Sequence, residues 1–207
     1  MNTCYIIGAG DCGKISIKKD SSDFIIAADG GLKYCLESGI SPDMIVGDFD
    51  SLGYIPKGEN VIVLPVEKDD TDMYFAVNRG LEKSFKKFII FGGTGGDRPE
   101  HTYANIALLA YISQKGGRGF LISDSYSVTA ITNSSIEFDE NYRGNISVFS
   151  FTDKSRGVCE TGLKYTLNDK TLTSSVVLGI SNSFMGCESC ISVKEGTLII
   201  YYDRAPL

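Results

Sequence analysis

The chain of 207 residues has no tryptophan and one histidine, His101. One histidine cannot build a histidine-rich metal site. No Ser-His-Asp or Cys-His arrangement is evident either, so any nucleophile is expected to come from a substrate. Positive charge is also short: 20 Lys and Arg stand against 26 Asp and Glu, a formal net charge of −6. That balance argues against nucleic acid as a partner, which calls for a basic surface. Phosphate binding would need metal ions or backbone donors. No apolar run approaches the roughly 20 residues needed to cross a bilayer, so no membrane partner is expected. The N-terminal MNTCYIIGAG lacks the basic stretch and cleavage site of a secretory leader. Cysteines at 4, 12, 35, 159, 187 and 190 are scattered and mostly embedded in apolar runs. They read as reduced, buried thiols, which points to the cytoplasm. CESC (187–190) is one Cys-x-x-Cys without a second pair, and packing is the expected role.

What is present first is strand–helix alternation. TCYIIG (3–8), DFIIAA (23–28), MIVG (44–47), NVIVLP (60–65), KFIIFG (87–92) and GFLIS (119–123) read as strands buried on both faces. Helices are expected at 32–38, at 71–85 with Met73, Ala76, Val77, Gly80, Leu81 and Phe85 on one face, and at 99–115 with Ala104, Ala107, Leu108, Tyr111 and Ile112. Alternation of this kind predicts a parallel α/β sheet. After about residue 126 the chain becomes rich in Thr, Ser, Val and Ile, with turn signals at NYRGN, LNDK and KEGT. The expected architecture is an N-terminal parallel-sheet α/β domain, residues 1–126, and a C-terminal antiparallel β-sandwich domain, residues 127–207.

The polar motifs gather after the predicted strands. GAGDCG (8–13) fits G-x-G-x-x-G, but KISIKKDSSD after it is short, polar and closer to period 2 than a dinucleotide fingerprint requires. ADGG (28–31), VGDFDS (46–51), EKDDTD (67–72) and GGTGGDRPEH (92–101) end the second to fifth strands. Each has a plain structural account: a tight turn, a solvated acidic turn, an Asp-capped helix start, a glycine turn. Together they say more. In an open parallel sheet the ligand lies outside the carboxyl ends of the strands. Carboxylates, backbone donors at a helix N-terminus and Arg98 converging there suit metal–polyphosphate chemistry.

In order and over nearly the whole chain, ADGG, PDMIVGDFDS, EKDDTD, GGTGGDRPEH with TYANI, TGLKYTL and GISNSF resemble the thiamine pyrophosphokinase family. The resemblance implies an α/β catalytic domain that binds ATP and Mg²⁺, a β-sandwich domain that binds thiamine, and a homodimer with active sites at the subunit interface. It implies transfer of a diphosphate group from ATP to the thiamine hydroxyl, with release of AMP. Asp48, Asp50 and Asp72 resemble the Mg²⁺–diphosphate carboxylates, with Asp72 also a candidate base and Arg98 a catalytic phosphate contact. The implied ATP and phosphate set is Asp29, Gly30, Lys68, Asp69, Thr71, Gly92, Gly93, Thr94, Gly95, Gly96, Glu100, His101 and Asn105. Tyr165, Ser181 and Asn182 match thiamine-pocket positions, and without tryptophan any stacking falls to Tyr or Phe. One departure stands out. The family reads GGR-x-D-H, whereas GGDRPEH has one more residue and Glu100 in place of Asp. Either the longer Glu side chain offsets the insertion or the loop is re-aimed. Two alternatives remain on the residues alone: a non-catalytic thiamine or nucleotide-binding module, and a dinucleotide oxidoreductase using GAGDCG.

Overall fold

The six apolar runs of the first half form β1 (Thr3–Ile7), β2 (Phe24–Ala28), β3 (Met44–Gly47), β4 (Val61–Val63), β5 (Lys87–Phe91) and β6 (Arg118–Ile122). The computed structural model describes residues 2–13, 15–67 and 69–203. It divides into two compact units, Met1–Leu108 with Gly119–Asp124 and Leu109–Arg118 with Ser125–Leu207. The strands of the first unit lie in the order β6-β5-β1-β2-β3-β4. β1 pairs in parallel with both β2 and β5, and β2 with β3 and β3 with β4 likewise. Strand order therefore reverses at β1, which is where an open α/β sheet leaves a crevice at its carboxyl edge.

β1, β2 and β3 are almost wholly buried, as their continuous apolar runs require. β4 departs from that expectation: it is three residues long, sits at the sheet edge and leaves Val63 exposed. The connection from β1 to β2 contains no helix among its described residues, so GAGDCG lacks the helix that a dinucleotide fingerprint needs.

Three helices follow the later strands: α1 (Gly31–Glu37), α2 (Asp72–Glu82) and α3 (Pro99–Gln114). α2 buries Met73, Ala76, Val77 and Gly80, four of the six positions foreseen. It stops before Phe85 because Ser84 turns left-handed at φ 66°. The Ser84 and Phe85 amides then bond back to Leu81 and Gly80, a helix-ending turn. Along α3 the buried positions include Asn105, Leu108, Leu109, Ala110 and Ile112. Ala104, Ala107 and Tyr111 are only half-buried, so the stripe is rotated from the one expected.

Apart from the end of α3, the regular structure of the second unit is all strand among the described residues. β7 (Tyr126–Thr132), β9 (Asn145–Ser150), β12 (Gly179–Ser183) and β14 (Thr197–Asp203) run in the order β12-β9-β14-β7. β8 (Ser135–Phe138), β10 (Lys154–Thr161), β11 (Leu167–Thr173) and β13 (Ser189–Ser192) form a second sheet, β11-β10-β13-β8. The pairings within these sets are antiparallel. Phe138 from one sheet meets Tyr202 from the other and Phe184, just past β12, edge-on, at centroid distances of 5.1 and 5.2 Å, and Tyr142 joins them. The result is a β-sandwich. LNDK proves to be strand rather than turn. Asp169 adopts φ 51°, and the β10–β11 register shifts beside it, so the turn-forming residues are absorbed as a bulge.

The loops after β1 and β5 are zipped together. Gly8, Gly10 and Asp11 amides donate to the carbonyls of Phe91, Gly92 and Thr94 at 2.8, 2.8 and 2.7 Å. Gly92 adopts φ 60°, and a Cβ there would fall 2.2 Å from the Gly8 carbonyl oxygen. We expect Gly92→Ala to destabilise the protein by about 2–4 kcal/mol, combining left-handed strain with backbone overlap. A urea midpoint unchanged from wild type would refute this account.

Candidate functional site

GDFDS forms its loop around the phenylalanine. Phe49 is 2 % exposed and joins the core containing Ile7, Leu32 and Ile45. Its backbone is left-handed, φ 62°. Burying the ring contributes about 1.5–3 kcal/mol, and such a backbone costs about 1–3 kcal/mol. The two nearly cancel, so neighbouring contacts must hold the shape. They come from β2. The Asp29 amide donates to Val46 O at 2.7 Å. Asp29 comes so close to Gly47 that a Cβ on the glycine would lie 2.9 Å from Asp29 Cα. ADGG and GDFDS are thus one structural unit.

With Phe49 turned inward, the acids on either side stay at the surface, Asp48 half-buried and Asp50 exposed. One ligand oxygen each from Asp29, Asp48 and Asp50 lies within 4.8 Å of the others. The Asp50 amide donates to Asp48 Oδ1 at 3.3 Å, and Ser51 Oγ donates to Asp29 Oδ2 at 2.7 Å. Asp29 Oδ1 is buried and has no hydrogen-bond partner among the described residues. At such separations each carboxylate pair repels by about 1–4 kcal/mol, from bulk water to a protein-surface dielectric. Three hard oxygen donors with one acceptor left open are a donor set that can coordinate a divalent cation.

The remaining acidic and glycine motifs fall around this cluster in sequence but not all within it. Asp72 is half-buried in the first turn of α2, outside the three-carboxylate group. The helix is capped by Thr71, whose Oγ1 accepts from the Tyr74 amide at 3.1 Å, not by an aspartate as expected. Asp69 is exposed, and Lys68 lies outside the described residues. Gly30 precedes α1 and offers no side-chain cap.

In the glycine loop, Gly92, Gly93 and Thr94 are buried, whereas Gly95 and Gly96 are exposed with φ 72° and 76°. Buried Asn105 donates to Gly93 O at 2.8 Å and so ties the loop to α3. Arg98 Nε donates to Glu100 Oε1 at 2.9 Å, and both side chains are exposed. The Glu100 backbone amide and Arg98 hold that carboxyl below its ordinary value. His101 Nε2 is 3.9 Å from the same oxygen. Arg98 and Glu100 of GGDRPEH thus form one surface ion pair.

The second unit gathers the other predicted set. The β9–β12 register slips between Gly179 and Asn182. Ser181 sits in that bulge at φ 59°, exposed, and its amide donates to Ser147 Oγ at 3.1 Å. Tyr165 is also exposed, with Lys164 Nζ 5.3 Å from its ring centroid. Asn182 is different. It is 4 % exposed, and its amide is fully used. Oδ1 accepts from the Tyr165 and Ser183 amides, each at 2.9 Å. Nδ2 donates to Tyr165 O at 2.6 Å and to Glu160 Oε2 at 3.0 Å.

Glu160 was not singled out from the sequence. It is 1 % exposed, and its Oε1 has no hydrogen-bond partner among the described residues. Burial pushes its carboxyl up, and the Asn182 bond pulls the other way. The available signal was an acid two residues before the GLKY turn, on the inward face that it shares with Val158. The cysteines are all free, but only Cys4 and Cys35 are buried and Cys187 is exposed, so CESC is not wholly a packing element. No described helix is long and apolar enough to cross a membrane.

Two family models match the chain: the catalytic domain of thiamin pyrophosphokinase over residues 17–121, and the vitamin B1 binding domain of thiamin pyrophosphokinase over residues 133–198. The thiamine pyrophosphokinase of Bacillus subtilis (strain 168) is 33 % identical over 189 residues, covering 87 % of each chain. A crystal structure of thiamine pyrophosphokinase from Bacillus subtilis superposes with a TM-score of 0.85 at 29 % identity, covering 99 % of this chain and 100 % of that one. Thiamin pyrophosphokinase from Candida albicans shares the fold, with a TM-score of 0.76 at 15 % identity over 98 % of this chain and 88 % of that one.

The Glu160 environment has a consequence for stability. Because its folded-state value is raised above 4.5, the folded chain holds an extra proton between 4.5 and that raised value. Stability contributed by this group therefore falls as pH rises through the window. Relative to Glu160→Gln, the wild-type protein should lose unfolding free energy on going from acid to neutral pH. Parallel urea curves for the two proteins at every pH would contradict this.

Proposed function

The chain belongs to the thiamine pyrophosphokinase family, and we propose that the carboxylates at the carboxyl edge of its first sheet carry out the family's reaction. The enzyme transfers a diphosphate group from ATP to the hydroxyl of thiamine, giving thiamine diphosphate and AMP. The observation that carries the site assignment is the convergence of Asp29, Asp48 and Asp50, with Asp29 Oδ1 left open. In this reading they hold Mg²⁺. Asp72 completes the set from the first turn of α2, which lies against β1, β2 and β3. The metal, when bound, supplies charge neutralisation of the diphosphate and of the transition state.

The chain's own residues do the rest. The exposed backbone at Gly95–Gly96 and the N-terminus of α3 face anionic oxygens with N–H groups. Arg98 leaves its surface pair with Glu100 to contact phosphate, and Lys68 and Thr71 are further phosphate contacts in this reading. The thiamine hydroxyl attacks the β-phosphorus. The new O–Pβ bond forms as the bond between Pβ and the bridging oxygen of AMP breaks, and a carboxylate, Asp72 in this reading, takes the hydroxyl proton. Thiamine rests on the exposed Tyr165 ring, with the Ser181 hydroxyl available to its pyrimidine. Asn182 serves by holding the Tyr165 backbone. A cytoplasmic setting suits six free thiols.

The protein acts as a homodimer with active sites at the subunit interface. Val176, Val177, Leu178, Ile180 and Met185 support this, since each is more than half exposed within one short stretch of the second unit. A monomer in sedimentation velocity at micromolar concentration would remove that part of the reading.

The reaction is tested by following AMP and thiamine diphosphate from ATP and thiamine, with and without Mg²⁺. Formation should require the metal. Asp48→Asn or Asp50→Asn should lower turnover by about 100-fold or more, the scale of losing one charge-stabilising group, with little change in melting temperature. Equal loss of folding and activity would instead make the acids structural.

A further inference from the structure

We propose that Glu160 is a positioning residue for thiamine binding, acting through Asn182 on the Tyr165 turn. This rests on the reading of Tyr165 and Ser181 as the thiamine contacts. Three observations carry it.

The first is saturation. Asn182 makes four hydrogen bonds to the protein and has no donor or acceptor left for a ligand. Its job is to bridge. Two of the four bonds clamp both the N–H and the C=O of Tyr165, so that one residue's backbone is held from both sides. The exposed ring that thiamine would stack on is aimed by that clamp.

The second is placement. Glu160 ends the inward-facing row of β10, and Asn182 lies on β12 of the opposite sheet. The Nδ2–Oε2 bond at 3.0 Å therefore crosses the sandwich. It ties the strand leading into the GLKY turn to the bulged strand carrying Ser181. Both ligand-facing residues depend on the same link.

The third is its unfavourable setting. A carboxyl group that is 1 % exposed, with one oxygen unpartnered, is a poor way to stabilise a sandwich core. An apolar residue of similar size would pack there without that penalty. Ser189 Oγ, another buried atom without a partner among the described residues, lies on β13, the neighbouring strand of the same sheet, two residues from Ile191, which pairs with Glu160. The core around Glu160 thus carries two unmet polar atoms, as expected where geometry for a ligand outranks packing.

The experiment compares Glu160→Met, Glu160→Gln and Glu160→Asp with wild type, reading the KM for thiamine, the KM for ATP, kcat and melting temperature. Glu160→Met removes the acceptor. It should raise the thiamine KM about tenfold or more, with the ATP KM within twofold and the melting temperature unchanged or higher. Glu160→Gln keeps an acceptor for Asn182 and should restore the thiamine KM to within about twofold. Glu160→Asp keeps the carboxyl group but withdraws its oxygens by one methylene, and should raise the thiamine KM. If Glu160→Met does not fold, the Gln and Asp pair decides. An unchanged thiamine KM in Glu160→Asp overturns the proposal, as does a Glu160→Met that lowers stability and kcat with no change in thiamine KM. Tyr165→Ala separates the two readings. If it leaves the thiamine KM unchanged, the pocket assignment fails; if it raises that KM and the Glu160 variants do not, only the role of Glu160 fails.

Discussion

Repulsion among three carboxylates is the constraint around which the first unit is built. Left to themselves, Asp29, Asp48 and Asp50 would move apart, yet their oxygens are held within 4.8 Å. What holds them is apolar and steric. Phe49 sits in the core at a left-handed backbone angle whose cost nearly offsets its burial. Gly47 has no side chain because Asp29 occupies that space. The Asp29 amide is bonded to β3 through Val46. The cluster is preorganised by the sheet, so a divalent cation placed there would relieve a repulsion already present. Ordering it costs little at the moment of binding.

The glycine loops serve the same end by a different route. GAGDCG looks like a phosphate cradle, but its Gly8, Gly10 and Asp11 amides donate to the end of β5 and the loop after it, and its Gly13 amide donates to Asp124. That bracing, together with Asn105, buries Gly92 to Thr94 and leaves Gly95 and Gly96 exposed. Backbone satisfied by protein is rigid, and backbone left exposed can meet an anion. The division between the two was invisible in a run of four glycines. In the second unit a buried polar link plays the bracing part. Asn182 and Glu160 fix a turn and a bulge that apolar packing alone would leave free to vary.

Much of the fold was legible. Continuous apolar runs gave away β1, β2 and β3 because burial on both faces leaves no place for polar residues. Patterning failed where edge position, bulges or end effects intervened. β4 is short and half-exposed at the sheet edge, LNDK became strand through a bulge, and α2 ended at Ser84 rather than after Phe85. Such features are settled by neighbouring strands and by single left-handed residues, neither of which leaves a periodic trace.

For the site, the sequence by itself determined the inventory: which acids, glycines and aromatic residues follow which strands, and hence the family and its chemistry. Spacing along the chain carries that information because strand ends at one sheet edge are neighbours by construction. Only the tertiary structure decided the grouping. It put Asp29 with Asp48 and Asp50, joined Arg98 to Glu100, used up every side-chain hydrogen-bonding position of Asn182, and buried Glu160 against that amide. The reason is distance. Residues separated by 22 positions, as Glu160 and Asn182 are, meet only when two sheets fold over each other. Nothing in local propensity records which buried oxygen is left without a partner.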